Sequence, residues 1–272
     1  MTIQSWSGGK DSTASIILEH IHGLPKSRIV FVEVMFDHKR NISGELPEHI
    51  DFVKNIAIPK FESWGYVVDV IHSESDYVQE FYHVLSKSKI PERNGKYSGF
   101  FLGGMCAGNG RLKMRPLHKY HAQFTNATYI VGIAADESER LQRLKSGKRS
   151  LLAEYGYTEQ MAYDLCKEHS LLSPTYKNRN RGGCWFCPNQ NIKQFAILKT
   201  QYYDLWSELK KMSEEKILAS KGFRYAKTFE QVEKEVDAYL LTQDMWANQM
   251  SFFEEECQEY ESRIYNTRRA AR

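Results

Sequence analysis

Several features that would assign this chain of 272 residues to a membrane or secreted class are missing from its sequence. No apolar run approaches the roughly 18 residues that a helix needs to span a bilayer. The first residues, Met1 to Trp6, have neither the basic start nor the long apolar stretch of a secretory signal. We therefore expect a soluble, cytoplasmic protein without a membrane partner.

The charge also lacks a strong bias of either sign. The 37 basic and 34 acidic residues leave a formal net charge of +3, which does not by itself indicate a nucleic-acid partner. Cysteine is scarce, and five cysteines that include a Cys-x-x-Cys pair favour metal or redox chemistry over a disulfide framework. Apolar residues, at 42%, are numerous enough for a sizeable core, which excludes wholesale disorder.

Short apolar runs alternate with amphipathic stretches in the first half of the chain. This alternation predicts an α/β fold with a mostly parallel, Rossmann-like sheet and flanking helices over residues 1 to 135. A helical C-terminal region with a cysteine-rich loop is predicted over residues 136 to 272. The predicted strands are Thr2 to Trp6, Arg28 to Phe36, Tyr66 to Ile71 and Tyr129 to Ala134. The main predicted helices are Ser12 to Ile21, Pro47 to Ser63, Tyr77 to Leu85, Arg111 to Phe124, Gln201 to Leu218 and Thr228 to Arg263.

A glycine-rich loop, Ser7 to Ser12 (SGGKDS), stands between the first predicted strand and the first predicted helix. Adjacent glycines let the backbone turn tightly, and the amides and dipole at a helix start favour a bound anion. The two serine hydroxyls can donate to phosphate oxygens and Lys10 adds a positive charge. Asp11 beside a phosphate indicates an intervening Mg²⁺ ion. The alternative is a plain Gly-Gly turn with a serine N-cap, and the spacing is not that of a Walker A loop.

The SGGKDS motif at the opening of the first helix resembles the PP-loop signature of the ATP pyrophosphatases, also called adenine nucleotide alpha hydrolases. Further elements, in family order, resemble the phosphoadenosine phosphosulfate reductase-like branch of that superfamily. They are Phe36-Asp37, Glu45 to Glu48 (ELPE), Leu112 to Leu117 (LKMRPL) and Gly132 to Ser138 (GIAADES). The last element departs from the family pattern at Ala134, where the family has arginine.

The resemblance implies an adenine nucleotide alpha hydrolase-like fold that binds ATP with Mg²⁺ and cleaves it between the α- and β-phosphates. The implied nucleotide-binding residues are Ser7, Gly8, Gly9, Lys10, Asp11, Ser12, Asp37, Gly132, Glu137, Ser138 and Arg140. The implied catalytic residues are Lys10, Asp11, Arg111 and Lys113. Structural alternatives stay open: Asp37 as a loop cap, Arg111 and Lys113 as a solvated helix face, and Glu137 with Arg140 as a helix cap and charge pair.

Cys184 and Cys187 are spaced so that both thiolates can reach one metal ion from a tight turn, which Gly182 and Gly183 permit. A complete structural site usually needs four ligands. The first hypothesis is therefore a site of four thiolates for Zn²⁺ or a [4Fe–4S] cluster, formed by Cys106, Cys166, Cys184 and Cys187. The second is a three-cysteine cluster with an open iron site and Cys166 in the core. The third is a set of small buried residues with a reducible pair.

Three functions are compatible with these motifs. The leading hypothesis is an ATP-dependent adenylating enzyme that activates a small molecule or a nucleic acid, with a sulfur-donor protein and a homodimer left open. The second is a sulfonucleotide reductase, although the family's C-terminal Glu-Cys-Gly element is absent from the sequence. The third is a non-catalytic nucleotide-binding module with a structural metal. The sequence identifies neither the acceptor nor the metal.

Overall fold

The computed structural model describes residues 1–102, 106–179 and 182–246. Its main sheet has five parallel strands, and a small antiparallel sheet accompanies it. In chain order the strands are β1 (Thr2–Trp6), β2 (Arg28–Val32), β3 (Met35–Asp37), β4 (Ile42–Ser43), β5 (Val67–Ile71), β6 (Thr128–Ile130) and β7 (Lys148–Arg149). The main sheet runs β5-β2-β1-β6-β7, and β3 pairs with β4.

Helices connect the strands, and several are short or continue as wider π-helical or tighter 3₁₀ turns. The α-helices are α1 (Lys10–Ile21), α2 (Pro47–Asp51), α3 (Ile58–Ser63), α4 (Tyr77–Phe81), α5 (Arg115–His121), α6 (Ser138–Gln142), α7 (Leu151–Glu154), α8 (Glu159–Glu168), α9 (Ile192–Gln201) and α10 (Tyr203–Ser213). A further helix covers residues 229–246. The π-helical turns are Phe52–Ala57 and Asn109–Met114, and the 3₁₀ turns are Pro91–Arg93 and Pro174–Lys177. In the described part of the chain, no helix has both the length and the apolarity to cross a membrane.

The strands of the main sheet bury side chains on both faces. Trp6 and Phe31 belong to a core that includes the apolar residues of α1 and α8, whereas Ile3 and Val30 pack with Leu117 of α5. Successive side chains of a strand point to opposite faces, so this division requires a helical layer on each side. The structure therefore confirms the predicted α/β fold with a parallel sheet and a helical region.

Several predicted elements are divided in the structure, among them the helix from Arg111 to Phe124, which begins in the π-helical turn Asn109–Met114 and continues as α5. The run from Arg28 to Phe36 was expected to form one strand, but β2 ends at Val32 and a separate β3 follows. The chain changes partner there, because Glu33 N–H donates to Ile71 O and Val34 O accepts from Gly44 N–H. The predicted helix from Pro47 to Ser63 contains the turn Phe52–Ala57. The last part of the predicted helix from Thr228 to Arg263 lies outside the described residues.

The chain divides into two compact units at a different place from the predicted boundary. Of the described residues, one unit holds those from 1 to 187 with 217–220, and the other holds 188–216 with 221–246. The boundary that the sequence suggested after Ala135 falls inside the first unit, because Leu152 and Leu165 share the core of α1. The second unit has an aromatic core of Phe195, Trp206, Phe223 and Phe229.

His121, at the end of α5, should make the fold sensitive to acid. Its ring centroid lies 4.2 Å from that of Tyr129, and Nε2 is buried without a hydrogen-bond partner among the described residues. Burial, with smaller contributions from His118 and Lys148, lowers the pKa of His121 from 6.5 to about 4. The unfolded chain therefore takes up this proton first as the pH falls, which favours unfolding between these two values.

We expect protonation of His121 in the unfolded chain to reduce the free energy of unfolding by about 1–2 kcal/mol as the pH falls from 6.5 to 4. This effect is smaller than the full pKa shift implies, because the ring is partly exposed to solvent. Urea unfolding at several pH values measures the effect. His121→Gln should flatten the pH dependence. His83→Gln removes an exposed histidine and should leave it unchanged. The same pH dependence in the wild type and in His121→Gln would contradict the prediction.

Candidate functional site

The order of the parallel strands changes direction at β1. The chain moves from β1 to β2 on one side, and β6 pairs with β1 on the other side. In open α/β sheets, ligands bind in the crevice beyond the carboxyl ends of the strands at such a point. The glycine-rich loop (residues 7–12) follows β1, and Gly132 follows β6 by two residues. These two segments define the candidate site.

Two glycines of this site have no room for a side chain. Gly8 adopts φ +72°, and a Cβ atom there would lie 2.6 Å from Nε2 of His49. A Cβ atom on Gly132 would lie 2.6 Å from the backbone nitrogen of Ser12. The backbone that follows β6 therefore touches the first turn of α1, and His49 fills the space beside Gly8.

Hydroxyl groups of the protein close the loop around the start of α1. Ser7 N–H donates to Ser12 Oγ at 3.2 Å, and Gly9 N–H donates to Ser7 Oγ at 3.4 Å. Lys10 N–H, the first amide of the helix, donates to the hydroxyl of Tyr176 at 2.9 Å. Ser12 Oγ–H donates to Gly9 O at 3.0 Å. These partners are neutral, so an anion that arrives meets no negative charge at these amides.

Lys10 forms a partly buried charge cluster beside the loop. Its Nζ donates to Asp11 Oδ1 at 2.7 Å and to Glu159 Oε2 at 3.0 Å, and its side chain is only 11% exposed. Burial lowers the pKa of Lys10, but the bonds to Asp11 and Glu159 outweigh it and leave the pKa raised. Burial raises the pKa of Asp11, and the charges of Glu159 and Glu137 act in the same direction. The cluster therefore has three carboxylates and one ammonium group.

Cys166 lies under the same loop. Its Sγ–H donates to the carbonyl of Lys10 at 3.2 Å, and the side chain is buried. Burial, reinforced by the charge of Asp11, raises the pKa of the Cys166 thiol to about 12, so the thiol is neutral at physiological pH. The structure thus places Cys166 beside the start of α1.

Among the proposed nucleotide-binding residues, Asp37 and Glu137 accept hydrogen bonds from nearby backbone amides, and Arg140 pairs with Glu137. Asp37 accepts from Lys39 N–H at 2.9 Å and from Arg40 Nε–H at 2.6 Å. Burial raises the pKa of Asp37, but the hydrogen bonds from Arg40 outweigh it and lower the pKa. Glu137 accepts from Ala134 N–H at 3.0 Å and pairs with Arg140. The bonds of Asp37 correspond to the loop-cap alternative, and the ion pair of Glu137 with Arg140 corresponds to the charge-pair alternative. The side chain of Glu137 makes no cap hydrogen bond to α6, and its charge also influences Asp11.

The remaining predicted residues have other surroundings. Ser138 is exposed at the start of α6. Arg111 Nη1–H donates to Glu80 Oε2 at 2.6 Å, and Lys113 lies near enough to Cys184 to oppose the rise in its pKa. Neither Arg111 nor Lys113 makes a hydrogen bond to the glycine-rich loop in the described part of the chain.

A second cluster, which we name the cysteine group, consists of Cys106, Cys184, Cys187 and Tyr77. Burial and the charges of the three cysteines raise the pKa of Tyr77, whose buried hydroxyl has no hydrogen-bond partner among the described residues. Desolvation raises the pKa of Cys184, and the charges of Glu45, Cys187 and Cys106 act in the same direction. Cys106, Cys184 and Cys187, three of the four predicted metal ligands, are therefore near enough to Tyr77 for their charges to influence its pKa.

The loop that carries Cys184 and Cys187 is held by the small β3–β4 sheet and the residue after it. Trp185 N–H donates to Gly44 O and its indole N–H donates to Ser43 O, both at 2.9 Å. Phe186 stacks on Tyr77 with ring centroids 4.0 Å apart. Over the described ranges, no set of three or more Cys, His, Asp or Glu side chains stands at metal-ligand spacing.

The sequence analysis missed three residues of the site, and only one of them had a signal in the sequence. Tyr176 and Glu159 reach Lys10 over separations of 166 and 149 residues, and no motif marks either of them. His49 follows the ELPE element directly, so its position in that element was the available signal. Comparisons with models of protein families and with curated proteins found no match for this chain.

The contact between Gly8 and His49 predicts a large cost for a side chain in the loop. We expect Gly8→Ala to lower the free energy of unfolding by about 2–4 kcal/mol, from left-handed backbone strain and from overpacking against His49. Gly23→Ala is the matched control, because Gly23 has φ +60° and nothing within 4 Å of a Cβ atom. Its cost should be about 1 kcal/mol. Equal costs in urea unfolding would show that His49 does not restrict the loop.

Proposed function

We propose that this chain is an ATP-dependent adenylating enzyme of the PP-loop type. The observation that carries the proposal is the glycine turn at the head of α1, at the point where the strand order reverses. Amides at the start of a helix of this length favour an anion, and Lys10 adds a partly buried positive charge. We infer that this anion is the triphosphate of ATP, because SGGKDS resembles the PP-loop signature.

In this proposal the loop and Lys10 hold the β- and γ-phosphates, and Asp11 with Glu137 and Glu159 supplies carboxylates for Mg²⁺. A metal ion there neutralises charge on the phosphates. A nucleophile of the acceptor attacks the α-phosphorus, and the bond to the bridging oxygen breaks. Pyrophosphate leaves with that oxygen and the electron pair, and AMP stays on the acceptor. The protein's contribution is positioning and charge stabilisation.

We further propose that the cysteine group holds a metal centre, Zn²⁺ or an iron–sulfur cluster, through Cys106, Cys184 and Cys187. The proposal is supported by the turn that joins Cys184 and Cys187, and by the buried hydroxyl of Tyr77, which the charges of the three cysteines influence and which has no hydrogen-bond partner among the described residues. Three thiolates leave one position of a four-iron cluster open, which fits the transfer of sulfur to an activated acceptor. The described cysteines form no disulfide bonds with one another, and we propose the cytoplasm as the compartment.

Removal of the charge of Lys10 tests the nucleotide site. We expect Lys10→Met to weaken the binding of ATP with Mg²⁺ at least tenfold in isothermal titration, because a hydrogen bond to a charged group contributes about 1.5–3 kcal/mol. Lys145→Met removes one exposed positive charge and should leave the affinity within about twofold, as expected for a screened surface charge. A wild-type protein that binds no ATP at millimolar concentration would overturn the proposed function.

Metal content tests the composition of the cysteine group. After anaerobic purification, we expect Cys184→Ser to lose most of the zinc or iron that the wild type contains. Cys166→Ser should retain it, since Cys166 donates to the carbonyl of Lys10. Metal analysis with a visible spectrum measures both variants and identifies the metal. Loss of metal in Cys166→Ser would instead support the site of four thiolates.

A further inference from the structure

One short segment touches the glycine-rich loop from two sides. The 3₁₀ turn Pro174–Lys177 carries Tyr176, whose hydroxyl accepts from Lys10 N–H at 2.9 Å. The same hydroxyl would lie 3.4 Å from a Cβ atom on Gly9. Ser173, just before the turn, lies 2.7 Å through Oγ from Nδ1 of His49, the residue that fills the space beside Gly8.

The directions of the hydrogen bonds show which hydroxyl near the loop still has a proton to donate. Ser12 Oγ–H donates to Gly9 O, so the bond of 3.1 Å between Ser7 Oγ and Ser12 Oγ must use the proton of Ser7. The oxygen of Tyr176 accepts from Lys10 N–H, and its own proton has no acceptor in the described part of the chain. Burial raises the pKa of Tyr176, which keeps that proton in place at neutral pH.

His49 provides a second, independent sign of a ligand at this loop. The residue is only 2% exposed, and its Nε2 makes no hydrogen bond to any described residue. That atom faces Gly8, at 2.6 Å from the position that a Cβ atom would occupy. Buried polar atoms normally have partners, so an orphan nitrogen against a phosphate-type loop indicates a group that the protein itself does not supply.

We propose that Tyr176 is a polyphosphate-binding residue, whose hydroxyl accepts from the first amide of α1 and donates its proton to an oxygen of the nucleotide's pyrophosphate moiety. His49 lies beside Gly8, where its unpartnered Nε2 faces the loop. This inference rests on the proposed function, because it assumes that the loop binds a triphosphate. It adds a binding residue that lies outside every motif of the sequence.

Tyr176→Phe removes the hydroxyl and retains the ring, and inorganic pyrophosphate with Mg²⁺ is the probe. We expect its dissociation constant to rise about tenfold in isothermal titration, the usual effect of one hydrogen bond to a charged group. Tyr163→Phe is the matched control, because the ring of Tyr163 lies against that of Tyr176 with centroids 6.2 Å apart. Its affinity should stay within about twofold of the wild type, since its hydroxyl makes no hydrogen bond to the loop in the described part of the chain.

The outcomes separate this inference from the proposed function. If the wild type binds neither pyrophosphate nor ATP, both fail. If the wild type binds and Tyr176→Phe binds equally well, only the inference fails. Tighter binding by Tyr176→Phe would show that the hydroxyl blocks the loop, which also overturns the inference. If Tyr176→Phe does not fold, 3-fluorotyrosine at position 176 retains the hydroxyl, and a ¹⁹F resonance that does not shift with pyrophosphate counts against the inference.

Discussion

The first turn of an α-helix has amides without partners inside the helix, and each of them needs an acceptor. In α1 this requirement falls at the end of a central strand, where the chain must turn within three residues. Gly8 makes the turn with a left-handed backbone, and Lys10 N–H finds the hydroxyl of Tyr176. The arrangement of the site depends on how these amides are satisfied, because Tyr176, the partner of Lys10 N–H, lies far along the chain.

The choice of partner decides what the loop can bind. A carboxylate at the helix start would satisfy the amides and repel an anion, whereas a hydroxyl accepts from the amide and still carries a proton of its own. Asp11 lies at the start of α1, but it pairs with Lys10 instead of capping the helix. Lys10 therefore already has two carboxylate partners in the absence of a ligand, and an added phosphate competes with Glu159 for Lys10.

The parts of the fold that depend on local sequence could be predicted. β1 has the predicted bounds, and the parallel sheet follows from the alternation of strands and helices. The division of the run from Arg28 to Phe36 could not be predicted, because its cause is a change of partner from Ile71 to Gly44. Residue type alone carries no information on such distant contacts, and the same reason explains why Tyr176 and Glu159 escaped the sequence analysis.

The cysteines show that local sequence also predicts only part of the candidate site. The Cys-x-x-Cys spacing predicts that Cys184 and Cys187 share a turn, and the hydrogen bond from Cys187 N–H to Cys184 O at 3.1 Å forms it. Spacing does not decide between Cys106 and Cys166 as further members, because both are distant in sequence. The structure separates them by their surroundings: Cys106 acts on Tyr77 and Cys184, and Cys166 donates to Lys10 O. The different surroundings of Cys106 and Cys166 therefore come from contacts with distant parts of the chain, which the spacing of the cysteines in the sequence does not encode.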